Sequence, residues 1–105
     1  MLIRNATECR NAFALAADNG DILTLSLPEN AVGYMGLLYI HSMLEESHTQ
    51  YPTVRYNFIC DCGEDAALVQ EAFRIGFRHV AYKGSAETFS KLETIAAYYK
   101  GTLAT

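Results

Sequence analysis

The sequence predicts an α/β fold: a small open sheet of four to five mainly parallel strands, with helices alternating between them. Three observations lead to this prediction. Extended segments and segments of helical periodicity alternate strictly along the 105 residues. Glycines lie where helices should end. The connections have the short lengths typical of strand–helix–strand units, whose strands run parallel through right-handed crossovers in two or three layers.

The first half of the chain shows this alternation loosely. Residues 2–4 predict a short edge strand, and the alanine-rich residues 7–18 predict a helix that ends at Asn19-Gly20. Residues 21–27 alternate apolar and polar side chains after Ile22, which is the pattern of a strand. One long helix is predicted from about residue 30 to residue 47, before Tyr51-Pro52 turns the chain into the next strand.

The second half shows the alternation clearly. Residues 56–63 form an extended run, and a helix should follow, because apolar residues recur at spacings of three and four up to Gly76. Residues 79–82 predict a short strand. Ser85 is a good N-cap for a last helix that ends at Gly101. Residues 102–104 are predicted to form a short final strand.

Length and composition favour a single α/β domain over residues 1–105. Half of the residues are hydrophobic and the net charge is -4, which argues against disorder and against a surface that binds nucleic acid. No apolar run approaches the roughly 20 residues that cross a bilayer, so no membrane partner is expected. A complete eight-stranded barrel needs about 200 residues. A half-barrel that assembles with a copy of itself stays open as an alternative.

The N-terminal region and the cysteines indicate a reducing compartment. Polar residues interrupt any apolar segment of a secretory signal, so we expect a cytoplasmic protein. The three cysteines, Cys9, Cys60 and Cys62, are an odd number and do not form a disulfide framework. We expect small buried hydrophobic residues there, with metal or redox chemistry as the alternative. No cofactor is predicted.

Candidate ligand-binding residues follow two predicted strands, because ligands of parallel sheets bind at the carboxyl ends of the strands. Lys83, Gly84 and Ser85 combine a cation, a glycine that allows close approach and a helix N-terminus, which together suit a small anion. Asp61 and Gly63 lie at the end of the other strand, where Glu64 and Asp65 add further acidic residues. An ordinary strand-to-helix turn is the alternative at both places.

Asp61 and Lys83 are also the weak candidates for catalysis. If their strands are neighbours, the carboxylate and the ammonium should approach each other at the sheet edge. Such a pair suits proton transfer or Schiff-base chemistry, provided that burial or positive neighbours depress the pKa of the lysine. This hypothesis requires Lys83 to be partly buried beside a cleft.

The predicted long helix carries two further features. His41, Glu45 and His48 share one face and are weak candidates for metal ligands, although no second such group exists and a polar stripe is the simpler interpretation. Tyr34, Leu37 and Leu38 point away from the main apolar side of the helix. A helix that is apolar all round is buried on more than one side, which predicts a homodimer interface there. Packing by other helices of the same chain is the alternative.

Two functional hypotheses follow. The first is a non-catalytic α/β module that self-associates and binds a protein partner or a small anionic ligand at the carboxyl edge of its sheet. The second is a small lyase- or isomerase-like enzyme that uses Asp61 and Lys83. The sequence contains no catalytic triad spacing, nucleophile elbow or H-E-x-x-H motif, which favours the first hypothesis.

Overall fold

Helices and short strands alternate along the chain in the computed structural model, which describes residues 1–105. The strands are β1 (Leu23–Leu25), β2 (Tyr56–Phe58), β3 (Cys60–Asp61), β4 (His79–Ala81) and β5 (Thr102–Ala104). The helices are α1 (Ala6–Asn19), α2 (Ala31–Met35), α3 (Leu37–Gln50), α4 (Ala66–Ile75) and α5 (Ala86–Tyr98). The predicted α/β class is confirmed.

Every strand pair is parallel, but the strands form two small sheets where one was predicted. One sheet contains β1 and β2, and the other contains β3, β4 and β5 in that order. Only Ile59 separates β2 from β3, so a single extended stretch of chain contributes to both sheets. Residues 2–4 contribute a single parallel bridge, from Leu2 to Ser26. Strands that are neighbours in space are therefore neighbours in sequence throughout.

The fold has two layers. The major helices contact one another in chain order, α1 with α3, α3 with α4 and α4 with α5, as expected when they lie side by side in one layer. The molecule measures 44 by 26 by 19 Å, and its thinnest dimension accommodates one sheet and one helix layer of about 10 Å. Along the strands, Phe58, Cys60 and Val80 are buried against the helices. Their neighbours Ile59 and His79 are exposed on the opposite face, which no helix covers.

Capping residues define the helix ends, several of them as predicted. The Ser85 side chain accepts a hydrogen bond from the Thr88 N–H at the start of α5, and Asp65 does the same for Leu68 at the start of α4. Gly20, in the left-handed region, ends α1. Between these helices and the sheet lies one core, and its largest fully buried side chains are Phe13, Phe73, Ile3, Ile40, Leu92, Val69 and Val80.

The prediction of one long helix over residues 30–47 is wrong, because the chain breaks at Gly36. This glycine has φ +86° and ψ 142°, a conformation that is essentially restricted to glycine, and it separates α2 from α3. The apolar pattern runs through the break without interruption, so periodicity alone did not indicate it. The break changes which side chains face the core: Leu37 is buried, whereas Leu38 is exposed.

Substitution of Gly36 by alanine tests whether the glycine imposes this break. A methyl group at Gly36 meets no atom within 4 Å, so the cost comes from the positive φ, and we expect Gly36→Ala to lower the free energy of unfolding by about 1–3 kcal/mol. Gly33 lies within α2 with equal space and no positive φ, so Gly33→Ala should be neutral or stabilise by up to about 1 kcal/mol. Urea denaturation of both variants measures the difference. Equal stabilities would contradict the assignment.

Candidate functional site

Asp61 and Lys83 meet at the carboxyl edge of the sheet. The parallel register of β3 and β4 pairs Asp61 with Ala81, so that Lys83 lies just beyond the neighbouring strand. The Lys83 Nζ donates a hydrogen bond to Asp61 Oδ2 at 3.0 Å. The side chains remain 58% and 45% exposed for Lys83 and Asp61 respectively. The sequence-based expectation of proximity therefore agrees with the geometry, but the lysine is not buried.

Gly63 connects the two ends of this ion pair. Its N–H donates to Asp61 Oδ1 at 3.0 Å, and its carbonyl accepts from the Lys83 N–H at 2.7 Å. Gly63 adopts φ +58°, which places it in the left-handed region that favours glycine. Each of the two residues of the ion pair thus contacts the same glycine, and the turn is held in one geometry.

The ion pair favours the charged forms of both Asp61 and Lys83, and the pKa of each residue shifts accordingly. Partial burial acts to raise the pKa of Asp61, but the hydrogen bonds from the Gly63 N–H and Lys83, together with the lysine charge, outweigh it and lower the pKa. The hydrogen bond to Asp61 and the charge of that carboxylate raise the pKa of Lys83 against a small effect of desolvation, with Glu29 adding to the rise. Schiff-base formation and general-base catalysis need a lysine whose pKa is depressed. The raised pKa of Lys83 does not meet this requirement.

A cleft of about 310 Å³ adjoins the ion pair. Its walls come from the start of α2 and from the two strand ends, and they consist of Glu29, Asn30, Val32, Gly33, Asp61, Cys62, Gly63, Glu64, Asp65, Leu68 and Lys83. Four of these side chains are carboxylic acids and one is a cation, which is already paired. This charge balance opposes the binding of a small anion in the cleft.

Gly84 and Ser85 have structural roles in the turn that leads into α5. A Cβ at Gly84 would lie 2.0 Å from the hydroxyl of the buried Tyr82, so the absence of a side chain leaves room for this ring and not for a ligand. The Ser85 Oγ accepts from the Thr88 N–H at 3.2 Å and donates to Thr88 Oγ1 at 3.0 Å. The side chain of the protein itself thus caps the helix N-terminus that was expected to bind an anion.

Two of the three residues considered as metal ligands, His41 and His48, pack against aromatic rings. The His41 ring is 5.5 Å from that of Phe77 in an edge-on arrangement, and the His48 ring is 5.3 Å from that of Tyr56. No three His, Cys, Asp or Glu side chains are placed so that they could hold a metal ion. His41 and Glu45 instead line a second cavity with Tyr56 and residues 76–79, which the sequence did not indicate as a site.

The predicted interface residues divide into two groups. Tyr34 and Leu38 are 69% and 70% exposed, whereas Leu37 is only 6% exposed and belongs to the core. The assignment of Leu37 to an interface is therefore wrong, because the break at Gly36 rotates it inwards. Sequence analysis missed the exposed Ile22 and Ile59 on the open face of the sheet. For Ile59, the sequence did contain an indication: it alternates with Phe58 and Cys60 along the strand and so lies on the opposite face.

All three cysteines are buried and free. A hydrogen bond with Cys62, together with burial, strongly raises the pKa of the Cys60 thiol, and burial raises that of Cys9 in spite of a hydrogen bond from Ser47. Thiols in this state are poor nucleophiles and poor metal ligands. They act here as small core residues.

The chain matches no protein-family model, and it matches no curated protein sequence. None of the helices combines the length and the apolar character that crossing a membrane requires.

Replacement of Asp61 by asparagine tests the ion pair. Asparagine preserves the acceptor for the Gly63 N–H but removes the charge, so the pKa of Lys83 should fall back towards its ordinary value. Because the folded pKa of Asp61 is lowered, its stabilisation is present above the ordinary carboxyl pKa of about 3.9 and is lost as the pH falls through the folded pKa. The stability deficit of Asp61→Asn should therefore shrink in acid.

NMR titration of the Lys83 side chain and urea denaturation at several pH values measure these two effects. Glu64→Gln is the matched control, since Glu64 lines the same cleft and forms no ion pair within 4.0 Å. A Lys83 titration that does not move in Asp61→Asn, or that moves as far in Glu64→Gln, would show that the pair does not persist in solution.

Proposed function

We propose that the protein is a non-catalytic α/β module that functions as a self-associated assembly, in which two copies pack the open faces of their sheets together. The observation that carries this proposal is the exposure of one face of an all-parallel sheet. Parallel sheets occur almost only where both faces are covered. Since the helices of this chain lie in one layer, we propose that a second copy of the chain covers the other face.

The open face carries exposed aliphatic side chains beside the polar Asn57 and His79, and burial of the aliphatic ones would favour association. Ile59 is 55% exposed at its centre, and Leu2 and Ile22 add further exposed aliphatic side chains. Thr24 and Thr102 contribute small side chains beside them. Complete burial of one aliphatic side chain is worth about 1.5–3 kcal/mol. Removing these side chains from water would therefore favour association.

The topology supports a second copy as the partner. The strands follow one another in space in the same order as in sequence, and all helices lie on one side of them. This is the arrangement of a segment of a βα-barrel whose inner face is open. A two-fold axis would bring identical faces together. The broad side of the molecule measures 44 by 26 Å, an area larger than the roughly 800 Å² that each partner buries in a standard interface.

The chemistry of the carboxyl edge supports the absence of catalysis. Lys83 is paired with Asp61 and holds its proton more tightly than an ordinary lysine, and the thiols of Cys60 and Cys62 are buried. The acidic cleft also disfavours the small anion first expected at this edge. The proposed function therefore rests on the open face of the sheet.

Sedimentation velocity tests the self-association. The protein at micromolar concentration should sediment at twice the 11.6 kDa chain mass. Ile59→Asp places a carboxylate in the centre of the proposed interface and should weaken the dimer by at least about a hundredfold. Leu38→Asp is the matched control, because it introduces the same charge at an aliphatic residue outside the sheet that is exposed even more than Ile59.

The two variants distinguish an interface on the open face of the sheet from one on the helix surface. Circular dichroism confirms that both variants fold, as expected for exposed positions. A wild-type protein that remains monomeric would overturn the proposal. Dissociation of the Leu38→Asp variant with an intact Ile59→Asp dimer would assign the interface to the helix surface around Tyr34 and Leu38, and not to the sheet.

A further inference from the structure

A second cavity lies where the two small sheets separate, beside the amino-terminal ends of β2 and β4. It has a volume of about 170 Å³. Helix α3, strand β2 and the segment before β4 form its walls, through His41, Leu44, Glu45, Tyr56, Phe58, Gly76, Phe77, Arg78 and His79. None of these residues lines the acidic cleft at the carboxyl edge.

The split of the sheet creates this cavity. Strand β2 pairs only with β1. The extended segment that contains β2 and β3 pairs with β4 only from Cys60 onwards, after β2 has ended. The Leu23 N–H donates to the Arg55 carbonyl, so residues 55 and 57 direct their peptide groups towards β1. The peptide groups of Tyr56 and Phe58 therefore point to the other side, where no strand accompanies β2.

The floor of the cavity is apolar and aromatic. Leu44, Phe58 and Phe77 are buried, and the rings of Phe58 and Phe77 lie 5.9 Å apart. The half-buried His41 packs edge-on against Phe77. An apolar cavity of about 150 Å³ holds a molecule of the size of benzene, so this cavity has room for a compact apolar group.

Two opposite charges lie at the mouth. Glu45 and Arg78 are exposed, and neither forms an ion pair within 4.0 Å. Burial, followed by the charge of Glu45, raises the pKa of Tyr56, which shows that the carboxylate lies near this ring. The mouth thus presents one free cation and one free anion above an apolar floor.

We propose that this cavity binds a compact zwitterion with an apolar side chain, which is the chemistry of a free apolar α-amino acid. The carboxylate of the ligand pairs with the Arg78 guanidinium, and its ammonium group pairs with the Glu45 carboxylate. The side chain lies on the floor formed by Leu44, Phe58 and Phe77. A simple carboxylic acid or a simple amine satisfies only one of the two charges.

Titration calorimetry with three related compounds tests the requirement for both charges. L-Leucine carries both groups, 4-methylpentanoate lacks the ammonium group, and 3-methylbutylamine lacks the carboxylate. We expect leucine to bind at least about tenfold more tightly than either analogue, since hydrogen bonds to charged groups contribute about 1.5–3 kcal/mol. Affinity for an analogue equal to that for leucine, or no heat of binding at millimolar leucine, would overturn the proposal.

Two variants and one control assign the charges to residues. Arg78→Gln should weaken leucine binding about tenfold or more and abolish its advantage over 3-methylbutylamine. Glu45→Gln should abolish the advantage over 4-methylpentanoate. Arg74→Gln removes an arginine of α4 that does not line the cavity, and it should leave the affinity unchanged. An effect of Arg74→Gln as large as that of Arg78→Gln refutes the assignment.

Amide chemical shifts locate the bound leucine. Leucine should shift the amides of Tyr56, Gly76 and Phe77, and shifts confined to Asp61 and Gly63 would place the ligand in the acidic cleft and contradict the proposal. The cavity shares only His79 with the open face of the sheet, and Ile59 does not line it. Leucine binding is therefore also measured with the Ile59→Asp variant. If this variant binds leucine, the cavity proposal holds even where the proposed self-association fails.

Discussion

Parallel pairing of strands in sequence order is the constraint on which the rest of this structure depends. Each crossover has the same hand, so every major helix packs on the same side of the strands. One core results, between that layer and the sheet, and most residues that alternate with the core positions are exposed, although Ala81 is buried. The exposed Ile59 is a direct consequence of the burial of Phe58 and Cys60 on either side of it.

The same constraint gives the two ends of the strands different chemistry. At the carboxyl end, neighbouring strands stop at the same level, and this brings Asp61 and Lys83 into an ion pair that Gly63 holds from both sides. At the amino end, β4 starts later than β2, which leaves a gap lined by aromatic rings and two free charges. The first end holds an ion pair within an acidic cleft, whereas the second has one cation and one anion that form no ion pair. For this reason the proposed ligand cavity lies at the amino ends of the strands, whereas ligands of parallel sheets usually bind at the carboxyl ends.

Several features were accessible from the sequence because they depend on local rules. Ser85 as an N-cap and Gly76 as a helix end follow from the hydrogen-bonding needs of helix termini. The proximity of Asp61 and Lys83 follows from parallel strands that end at a common edge. Gly84 shows the limit of such rules: the glycine was recognised, but the space beside it is filled by the ring of Tyr82, and only the folded chain places that ring.

Periodicity and residues close together in the chain were enough to predict the alternation of elements, the parallel class of the sheet and most helix ends. The tertiary structure alone decided the break at Gly36, the burial of Leu37, the division of the sheet at Ile59 and the cavity beside Tyr56. These features depend on where one segment stops relative to another that is distant in sequence. Periodicity carries no information about that relative position, because an apolar side chain fits the pattern equally well on either side of a glycine break or a strand end.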